Sequence, residues 1–576
     1  MNKLKKIRQV INFYKLDGYI VPKNDEFFGE YIHVSKDRLK FISSFSGSAG
    51  IGLIMQNQAF IFVDGRYILQ AKRECNSRFK IVEIHKKRPK KLFTKIKNKI
   101  NIGFDSKLHT TLSLKTLFKS KKINLIPFEN NLIDKVWKNK PKQSLKKFYI
   151  LNNKNTGENY ENKVRKVIKL MKKISVNKLL ITAPENIAWL MNIRGNDSNF
   201  SPIPNCNAVL YTNERIDLIV DKKKIDKKFK TFFGEKLNFV SPEKIFEYFS
   251  KLESSKSKFL LDILTCSHFY KALIKKNRFN FIEKLDPIYS LKALKNRTEI
   301  NNMKISHKYD GIALTKFIYW VKNNYLKLNL TEMSVQNKLE SFRKKSKYYK
   351  FPSFNTISGT GPNGAIVHYR ATPDTNKKLK KGHLYLVDSG GQYFYGTTDV
   401  TRTIPLGTQS EKIKDVYTRV LKGHISVIKF KLNNSTTGKK IDIAARKPLK
   451  SIGLNYEHGT GHGVGFFLNV HEGPQAISPN NNIRLKEGMI LSNEPGYYEK
   501  NKFGIRIENL IYIKKNENNK LIFENLTYVP IDLDMVKFDM LTQNEKEYIN
   551  KYNNEVLKKI GPYLNEKERN WLKFNN

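Results

Sequence analysis

Four acidic residues of this chain stand where acidic residues are costly. Asp388 closes the apolar run LYLVD, Asp399 opens DVTRTI, Glu494 follows GMILSN, and Glu508 sits inside FGIRIENLIYI. A carboxylate flanked by Leu, Val or Ile needs a counter-charge. Arg402 and Arg506 can supply part of it. Two divalent cations supply all of it, because four carboxylates and one neutral imidazole balance two M²⁺. Oxygen-rich ligation with one imidazole suits Mn²⁺, Co²⁺ or Zn²⁺, and a shared carboxylate holds such ions about 3.5–4 Å apart. The segment HGTGHGVGFFLNVHEGP offers three imidazoles, His458, His462 and His471. Taken singly, an Asp beside a turn is more often a turn residue than a ligand, and a lone His a satisfied polar group. The matched placement of the set points instead to a dinuclear metal centre.

Two hairpins must position these groups. LYLVDSGGQYFYGTTDVTRTI holds two apolar segments joined at Ser389-Gly390-Gly391, with Asp388 near the end of one strand and Asp399 near the start of the other. GMILSNEPGYYEKNKFGIRIENLIYI has the same form: Glu494 ends one strand, Glu508 lies in the next, and a Pro-Gly turn falls between. Around them, residues 298–350 read as mainly helical, 351–515 as Gly-rich and strand-rich, and 537–576 as helical. Upstream, residues 1–150 alternate helix-like and strand-like patterns. Leu4, Ile7, Ile11 and Tyr14 recur at helical spacing before the strand-like YIVP, and Ala59–Val63 reads as a buried strand. The Lys-rich stretch 86–99 reads as a solvated helix face, and the polar residues 142–160 as a linker. Residues 161–290 repeat the same type, with a helix at 163–173, a strand at 178–182, a loop at 194–205 and the strand AVLYT. Two neighbouring α/β units of similar size suggest a duplicated domain type. A second boundary falls near Leu291–Arg297.

Composition bounds the rest. At 576 residues the chain predicts two to four domains, and 40% hydrophobic residues suffice for sizeable cores. Three cysteines, Cys75, Cys206 and Cys266, exclude a disulfide scaffold and a zinc ribbon, and suit a reducing compartment. Lys3, Lys5, Lys6 and Arg8 look like the start of a signal peptide, but no apolar core of roughly 7–15 residues follows. No apolar run reaches the roughly 18 residues that a membrane helix needs. A cytoplasmic location, without a membrane, is therefore expected. The net charge is +54, carried by 87 Lys and only 19 Arg, and Asn and Ile are also abundant. Those are residues with A/T-rich codons, so genome drift accounts for the charge. A nucleic-acid surface concentrates charge and favours Arg, whereas this chain is basic throughout.

The region 364–510 resembles the catalytic domain of the pita-bread metallopeptidases, the class of methionine aminopeptidase, prolidase and aminopeptidase P. Their ligand order Asp, Asp, His, Glu, Glu maps onto Asp388, Asp399, His462, Glu494 and Glu508. The finer resemblance is to aminopeptidase P, or Xaa-Pro aminopeptidase, in its long three-domain form, through GAIVHYRAT, DVTRT, HGTGHGVG, VHEGP and NEPGYY. It extends to FISSFSGSAG, DGRYILQA and NLIDKVW in a first domain, ITAPENIAWLMNIRGNDSNFSP in a second, and YLNEKERNWL in the tail. Ser44, Ser46 and the segment SPIPNCNA depart from the family pattern. The fold implied is α/β (α+β): two creatinase-like N-terminal domains (1–150 and 151–294), a pita-bread catalytic domain (295–530) and a short helical C-terminal extension (531–576).

The resemblance implies a metal-dependent aminopeptidase that releases the residue preceding a proline at position 2, through water activated by two divalent ions, Mn²⁺ above all. Glu494 would shuttle the proton, and His368 and His471 would surround the scissile bond. His458 and Arg66 would contact substrate. Arg506, Arg402 and Thr401 would support the ligands. A homodimer is expected. The alternatives are a prolidase-like Xaa-Pro dipeptidase, against which three domains, the long tail and HEGP argue, and a non-catalytic module binding nucleic acid or protein, against which the complete ligand set argues.

Overall fold

The computed structural model describes residues 3–143, 145–254 and 257–574. The chain forms two compact units. One comprises Met1–Asn153 with Glu158–Tyr289, the other Lys154–Gly157 with Ser290–Asn576.

The first unit contains two six-stranded sheets of one design. In the first, the strands run Phe79–Glu83, Ala59–Val63, Ile51–Met55, Gly18–Pro22, Ile100–Asp105, Ile123–Phe128. In the second, the order is Leu237–Val240, Ile216–Ile219, Asn207–Tyr211, Lys178–Ile181, Lys258–Asp262, Asn280–Lys284. Both sheets place the first strand fourth, pair it antiparallel on one side and parallel on the other, and end in parallel pairs. The duplication read from the sequence is therefore a repeat of topology. The opening helix Lys3–Phe13 buries Leu4, Ile7 and Ile11, one face at helical spacing. Tyr14 falls just beyond it.

Two upstream readings are corrected. The stretch 86–99 is not a helix face. It holds only a 3₁₀ turn, Pro89–Phe93, whose Pro89 and Phe93 are buried. Its lysines are too uniformly polar to give a second apolar stripe. The stretch 142–160 is not a free linker either. Tyr149–Ile150 pairs with Ile193–Arg194, and Phe148 and Leu151 are buried on either side.

The second unit contains the long helix Arg297–Asn324, whose Asn296–Glu299 capping box satisfies the first amides. Its two main sheets divide the acidic residues between them. One is three-stranded, with Leu384–Ser389 between Ile357–Thr360 and Val400–Pro405. The other runs Glu472–Ile477, Gly461–Gly463, Ile490–Asn493, Asn509–Lys515, Leu521–Asn525. All six residues of Leu384–Ser389 and of Val400–Pro405 are buried; the first opens on the apolar run LYLV, while the second buries Thr401, Arg402 and Thr403 in hydrogen bonds. The helices Glu411–Ile428 and Gly438–Lys450, absent from the sequence reading of 351–515, also belong to this unit. The C-terminal helices Gln543–Ile560 and Glu566–Phe574 join its core, where Ile549, Tyr552, Val556, Ile560 and Leu572 pack with Leu384, Tyr417 and Ile505.

The hairpins have a common elaboration. Asp388 pairs with Thr401 in the outer strands, but the chain between them forms a second, inner hairpin, Gly391–Tyr393 with Gly396–Thr397. Ser389-Gly390-Gly391 is therefore a departure point and not the turn. Gly390 is required there, because a Cβ would lie 1.9 Å from the Thr398 carbonyl oxygen. In the other sheet Asn493 pairs with Asn509, and an inner hairpin, Gly496–Glu499 with Phe503–Arg506, fills the interval. Glu508 lies in the break between two strands, not within one.

Candidate metal centre and active site

The five expected ligands come from five short elements. Asp388 lies one residue from a strand end, Asp399 directly before a strand, His462 in the middle of Gly461–Gly463, Glu494 directly after a strand and Glu508 directly before one. Acids at strand margins reach a common space, because the strands on which they ride are held by backbone ladders. Ligand atoms of Asp399, His462 and Glu508 all lie within 4.8 Å of one another. His462 Nε2 is 3.4 Å from Asp399 Oδ2 and 3.7 Å from Glu494 Oε1. Asp388 joins through Arg506, whose Nη2 donates to Oδ2 at 2.7 Å.

The imidazole has the tautomer a ligand needs. His462 Nδ1–H donates to the Gly463 carbonyl at 2.9 Å, which leaves Nε2 to face the carboxylates. Ser492 accepts the His462 amide at 2.9 Å and donates to Glu494 Oε1 at 3.3 Å, tying two ligands together. Thr401 donates to Glu508 Oε2 at 2.7 Å and accepts from Arg506 Nε at 3.1 Å.

The electrostatics show what these groups lack. Burial pushes the Asp388 carboxyl up to about 7; Arg506 opposes the rise, while Asp399 and Glu494 add to it. Burial likewise raises Glu494, against the pull of His462 and Arg506. It raises Glu508 well above the carboxylate range, reinforced by Asp399, Glu494 and Asp388. Burial works against charge on His462, but Asp399 and Glu494 outweigh it and push the imidazole up to about 9. These are acids crowded around too little positive charge. Asp388 Oδ1 is buried and has no hydrogen-bond partner. An unsatisfied carboxylate oxygen, an imidazole nitrogen turned toward carboxylates and crowded acids are the donor set that two divalent cations fit.

The remaining candidates separate. Arg506 is buried against Asp388, Thr401 and Tyr498. Arg402 does not neutralise the acids. Its guanidinium binds the backbone oxygens of Thr401, Glu508, Val529 and Pro530, together with Asn509 and Tyr552. It therefore ties the tail to the strand margin beside Glu508. His458 donates from Nδ1 to the Gly459 carbonyl, so its Nε2 accepts from the Tyr498 hydroxyl at 2.8 Å. Tyr498 in turn accepts from Arg506 Nη1 at 2.5 Å. This connects His458 to Asp388 through two side chains. His471 is exposed, with its ring centroid 4.3 Å from that of His462. His368 is half-buried in the loop after Gly361–Ala365, beside Tyr369, which is anchored on the buried Glu332 at 2.8 Å. Arg66 belongs to the first unit and closes on Asp64 at 2.9 and 2.8 Å, a local ion pair.

Sequence reasoning missed Ser492 and Tyr498. Tyr498 lay within the quoted NEPGYY, and a tyrosine two residues past a Pro-Gly turn beside a ligand was the available signal.

Comparison with known proteins places this geometry. A family model described as metallopeptidase family M24 matches residues 301–515, and one for the C-terminal region of that peptidase matches 519–575. Two models of the creatinase/prolidase N-terminal domain match 3–136 and 139–299. Xaa-Pro aminopeptidase 1 of Dictyostelium discoideum is 38% identical over 99% of this chain and 95% of its own length. A probable Xaa-Pro aminopeptidase P of Laccaria bicolor is 36% identical over 99% and 92%. The X-prolyl aminopeptidase of Caenorhabditis elegans, described as a cytosolic enzyme with a di-nuclear active site, superposes with a TM-score of 0.92 at 29% identity, covering 100% of this chain and 98% of its own. The prolidase of Pyrococcus horikoshii superposes with a TM-score of 0.54 at 26% identity, over 65% of this chain and 99% of its own. The expected fold class, two creatinase-like domains before a pita-bread catalytic domain and a tail, is borne out. The chain belongs to metallopeptidase family M24, among the Xaa-Pro aminopeptidases.

Proposed function

We propose that this chain hydrolyses the bond between a first residue and a proline at position 2, using Asp388, Asp399, His462, Glu494 and Glu508 to hold two divalent ions. The observation that carries this reading is the convergence of Asp399, His462 and Glu508 within 4.8 Å beside the unsatisfied Asp388 Oδ1. When bound, the two ions supply Lewis acidity and a water that ionises near neutral pH. Mn²⁺ suits the oxygen-rich set, with Co²⁺ and Zn²⁺ as alternatives.

The chain's own groups do the rest. Glu494, held at Oε1 by Ser492, accepts the proton of the attacking water and delivers it to the leaving proline nitrogen. An amide nitrogen cannot leave as an anion, so the delivered proton makes it a leaving group, and proline departs as a secondary amine. His471 and His368 flank the scissile carbonyl, and one of them donates to its oxygen as negative charge develops. His458 contacts the leaving side, oriented by Tyr498. Arg506 and Thr401 hold Asp388 and Glu508, and Arg402 fixes the main chain beside Glu508.

The division into 1–150, 151–294, 295–530 and 531–576, a homodimer and a cytoplasmic location belong to the same proposal. The family models at 3–136, 139–299, 301–515 and 519–575 support the division. The cytosolic description of the nematode relative supports the location. No helix among the described residues is long and apolar enough to cross a membrane.

The test is a peptidase assay on metal-stripped protein with and without Mn²⁺, using an X-Pro-Y peptide, its X-Ala-Y counterpart and the X-Pro dipeptide. Mn²⁺-dependent release of X from X-Pro-Y alone is the expected result. Cleavage of the dipeptide alone moves the chain to prolidase activity. No cleavage by folded, metal-loaded protein overturns the reading.

A further inference from the structure

We propose that Glu472 is a positioning residue for His471, locked in place by Lys292 and Lys295. The inference rests on the catalytic role given to His471 above.

Glu472 directly follows His471, yet the two side chains meet opposite environments. His471 is exposed. The Glu472 side chain is 0% exposed, with Lys292 Nζ on Oε2 at 3.0 Å and Lys295 Nζ on Oε1. The two lysine side chains are themselves only 3% and 1% exposed. Each carboxylate oxygen takes one ammonium group, so the plane of the acid is defined from both ends. Three ionised groups inside a protein are a costly arrangement that apolar side chains of similar volume can often replace without loss of stability. Stability alone is therefore a poor account of it.

Both carriers are rigid. Ala293 is in the core of the second unit, the Lys295 amide donates to the Gly488 carbonyl at 2.9 Å, and Asn296 caps the helix that follows. On the other side, Glu472 pairs with Gly463, the residue after His462. The approach is so close that a Cβ on Gly463 would lie 2.1 Å from the Glu472 carbonyl oxygen. The main chain of Glu472 is thus pressed onto the ligand strand, and its side chain is clamped by the two lysines. The residue before it has little backbone freedom left. The imidazole of that residue stands with its ring centroid 4.3 Å from that of His462.

The experiment is a double-mutant cycle on the full-length, Mn²⁺-loaded enzyme with an X-Pro-Y peptide: Glu472→Gln, His471→Ala and both together. The expected result is a fall in kcat of at least tenfold for Glu472→Gln, with KM within twofold and metal content unchanged. In the His471→Ala background the same change has no further effect on kcat. A fall in kcat that is equal in both backgrounds assigns Glu472 to the general structure and overturns the inference, as does an unchanged kcat in Glu472→Gln. If His471→Ala alone keeps full kcat, the role given to His471 fails, and this inference falls with it; the other two outcomes leave that role standing. Should Glu472→Gln fail to fold, the triple variant Lys292→Met, Glu472→Gln, Lys295→Met removes all three charges and enters the cycle in its place.

Discussion

Arg506 and Asp388 form a one-sided pair: Nη2 donates to Oδ2 at 2.7 Å, and Oδ1 of the same buried carboxylate has no hydrogen-bond partner. The arginine thus neutralises part of the acid and orients it, leaving one oxygen for a cation. The same guanidinium also reaches Thr401 and Tyr498, so it sets the planes of two further groups at once. Arg506 uses a different nitrogen for each of these three partners, whereas the three donors of lysine share one nitrogen and lack that planar fork. Arg506→Lys is expected to lower kcat/KM or metal affinity by about 10–100-fold, the usual effect of losing a group that orients a ligand. Metal titration and steady-state kinetics of the folded variant check this. Unchanged values would mean that Asp388 is oriented by its strand alone.

Glu494→Gln separates ligation from proton transfer. The amide keeps the shape and can still accept from Ser492, but it cannot take a proton. A positioned general base contributes about 10²–10⁴-fold, and a fall in kcat of that size is expected even in preparations that retain two metal ions per chain. Elemental analysis beside the assay distinguishes a lost metal from a lost base. A variant with both ions and wild-type kcat would assign the proton to another group.

The four carboxylates were legible because an acid in an apolar strand context is conspicuous, whereas the choice of His462 among three imidazoles came only from the resemblance. Asp388 and Asp399 are conspicuous in LYLVD and DVTRTI. The partners were less so. Ser492 and Tyr498 are ordinary strand residues, and their importance depends on neighbours 30 residues or more away in the chain for Ser492–His462 and 40 for Tyr498–His458. Glu472 was visible within VHEGP, but its two lysines lie 180 and 177 residues upstream. The inner hairpins were missed for a local reason. Gly390 reads as a turn, yet it is needed for close approach to Thr398. Lys86–Lys99 misled in the opposite sense: the charge suggested a solvated helix, while Pro89 and Phe93 fold the stretch inward.

Metal should stabilise the protein more at pH 8 than at pH 6. In the metal-free fold Asp388 is raised to about 7, above the usual carboxylate range, so its ionisation opposes folding across the window from the unfolded value up to about 7. His462 is raised to about 9, so the stability it contributes is complete below its ordinary value and is lost as pH climbs through 9. Both effects weaken the metal-free protein toward alkaline pH. Metal binding requires deprotonated ligands and strengthens in the same direction. The difference in Tm between loaded and stripped protein should therefore widen from pH 6 to pH 8. A difference that is flat, or that narrows, would contradict the ligand assignment.

Gly461 offers a test of how tightly the ligand strand is held. A Cβ there would lie 1.9 Å from the Ser492 carbonyl oxygen, against the strand that leads to Glu494. Backbone cannot move aside as a flexible side chain can, so Gly461→Ala must separate the strand of His462 from that of Glu494. The expected result is a folded protein with weakened metal binding and loss of activity of at least tenfold. Calorimetric metal titration reads it, and full metal affinity would show that the two strands can part without cost to the centre.

The tail is part of the catalytic unit and not an appendage. Arg402 binds the Glu508 carbonyl at 2.6 Å with one nitrogen, and with another it binds the Val529 carbonyl at 2.7 Å and the Tyr552 hydroxyl at 3.1 Å. Tyr552 also donates to the Val529 carbonyl at 2.7 Å. The ring buries against Ile549, Val556 and the strand residues Ile505 and Leu384, in one core. Tyr552→Phe removes a hydroxyl and keeps that packing, so a loss of about 1 kcal/mol is expected, the typical net value of a buried hydrogen bond. Ending the chain after Thr542 removes the helices Gln543–Ile560 and Glu566–Phe574 with their buried faces, and it uncovers the core that holds Leu384, Ile505 and Ile507, on the strand of Asp388 and beside Glu508. That truncation is expected to abolish soluble, active protein, whereas Tyr552→Phe only lowers Tm by a few degrees. Thermal unfolding of the point variant and expression of the truncated chain decide it. An active truncated enzyme would show that Arg402 holds its carbonyls without the tail.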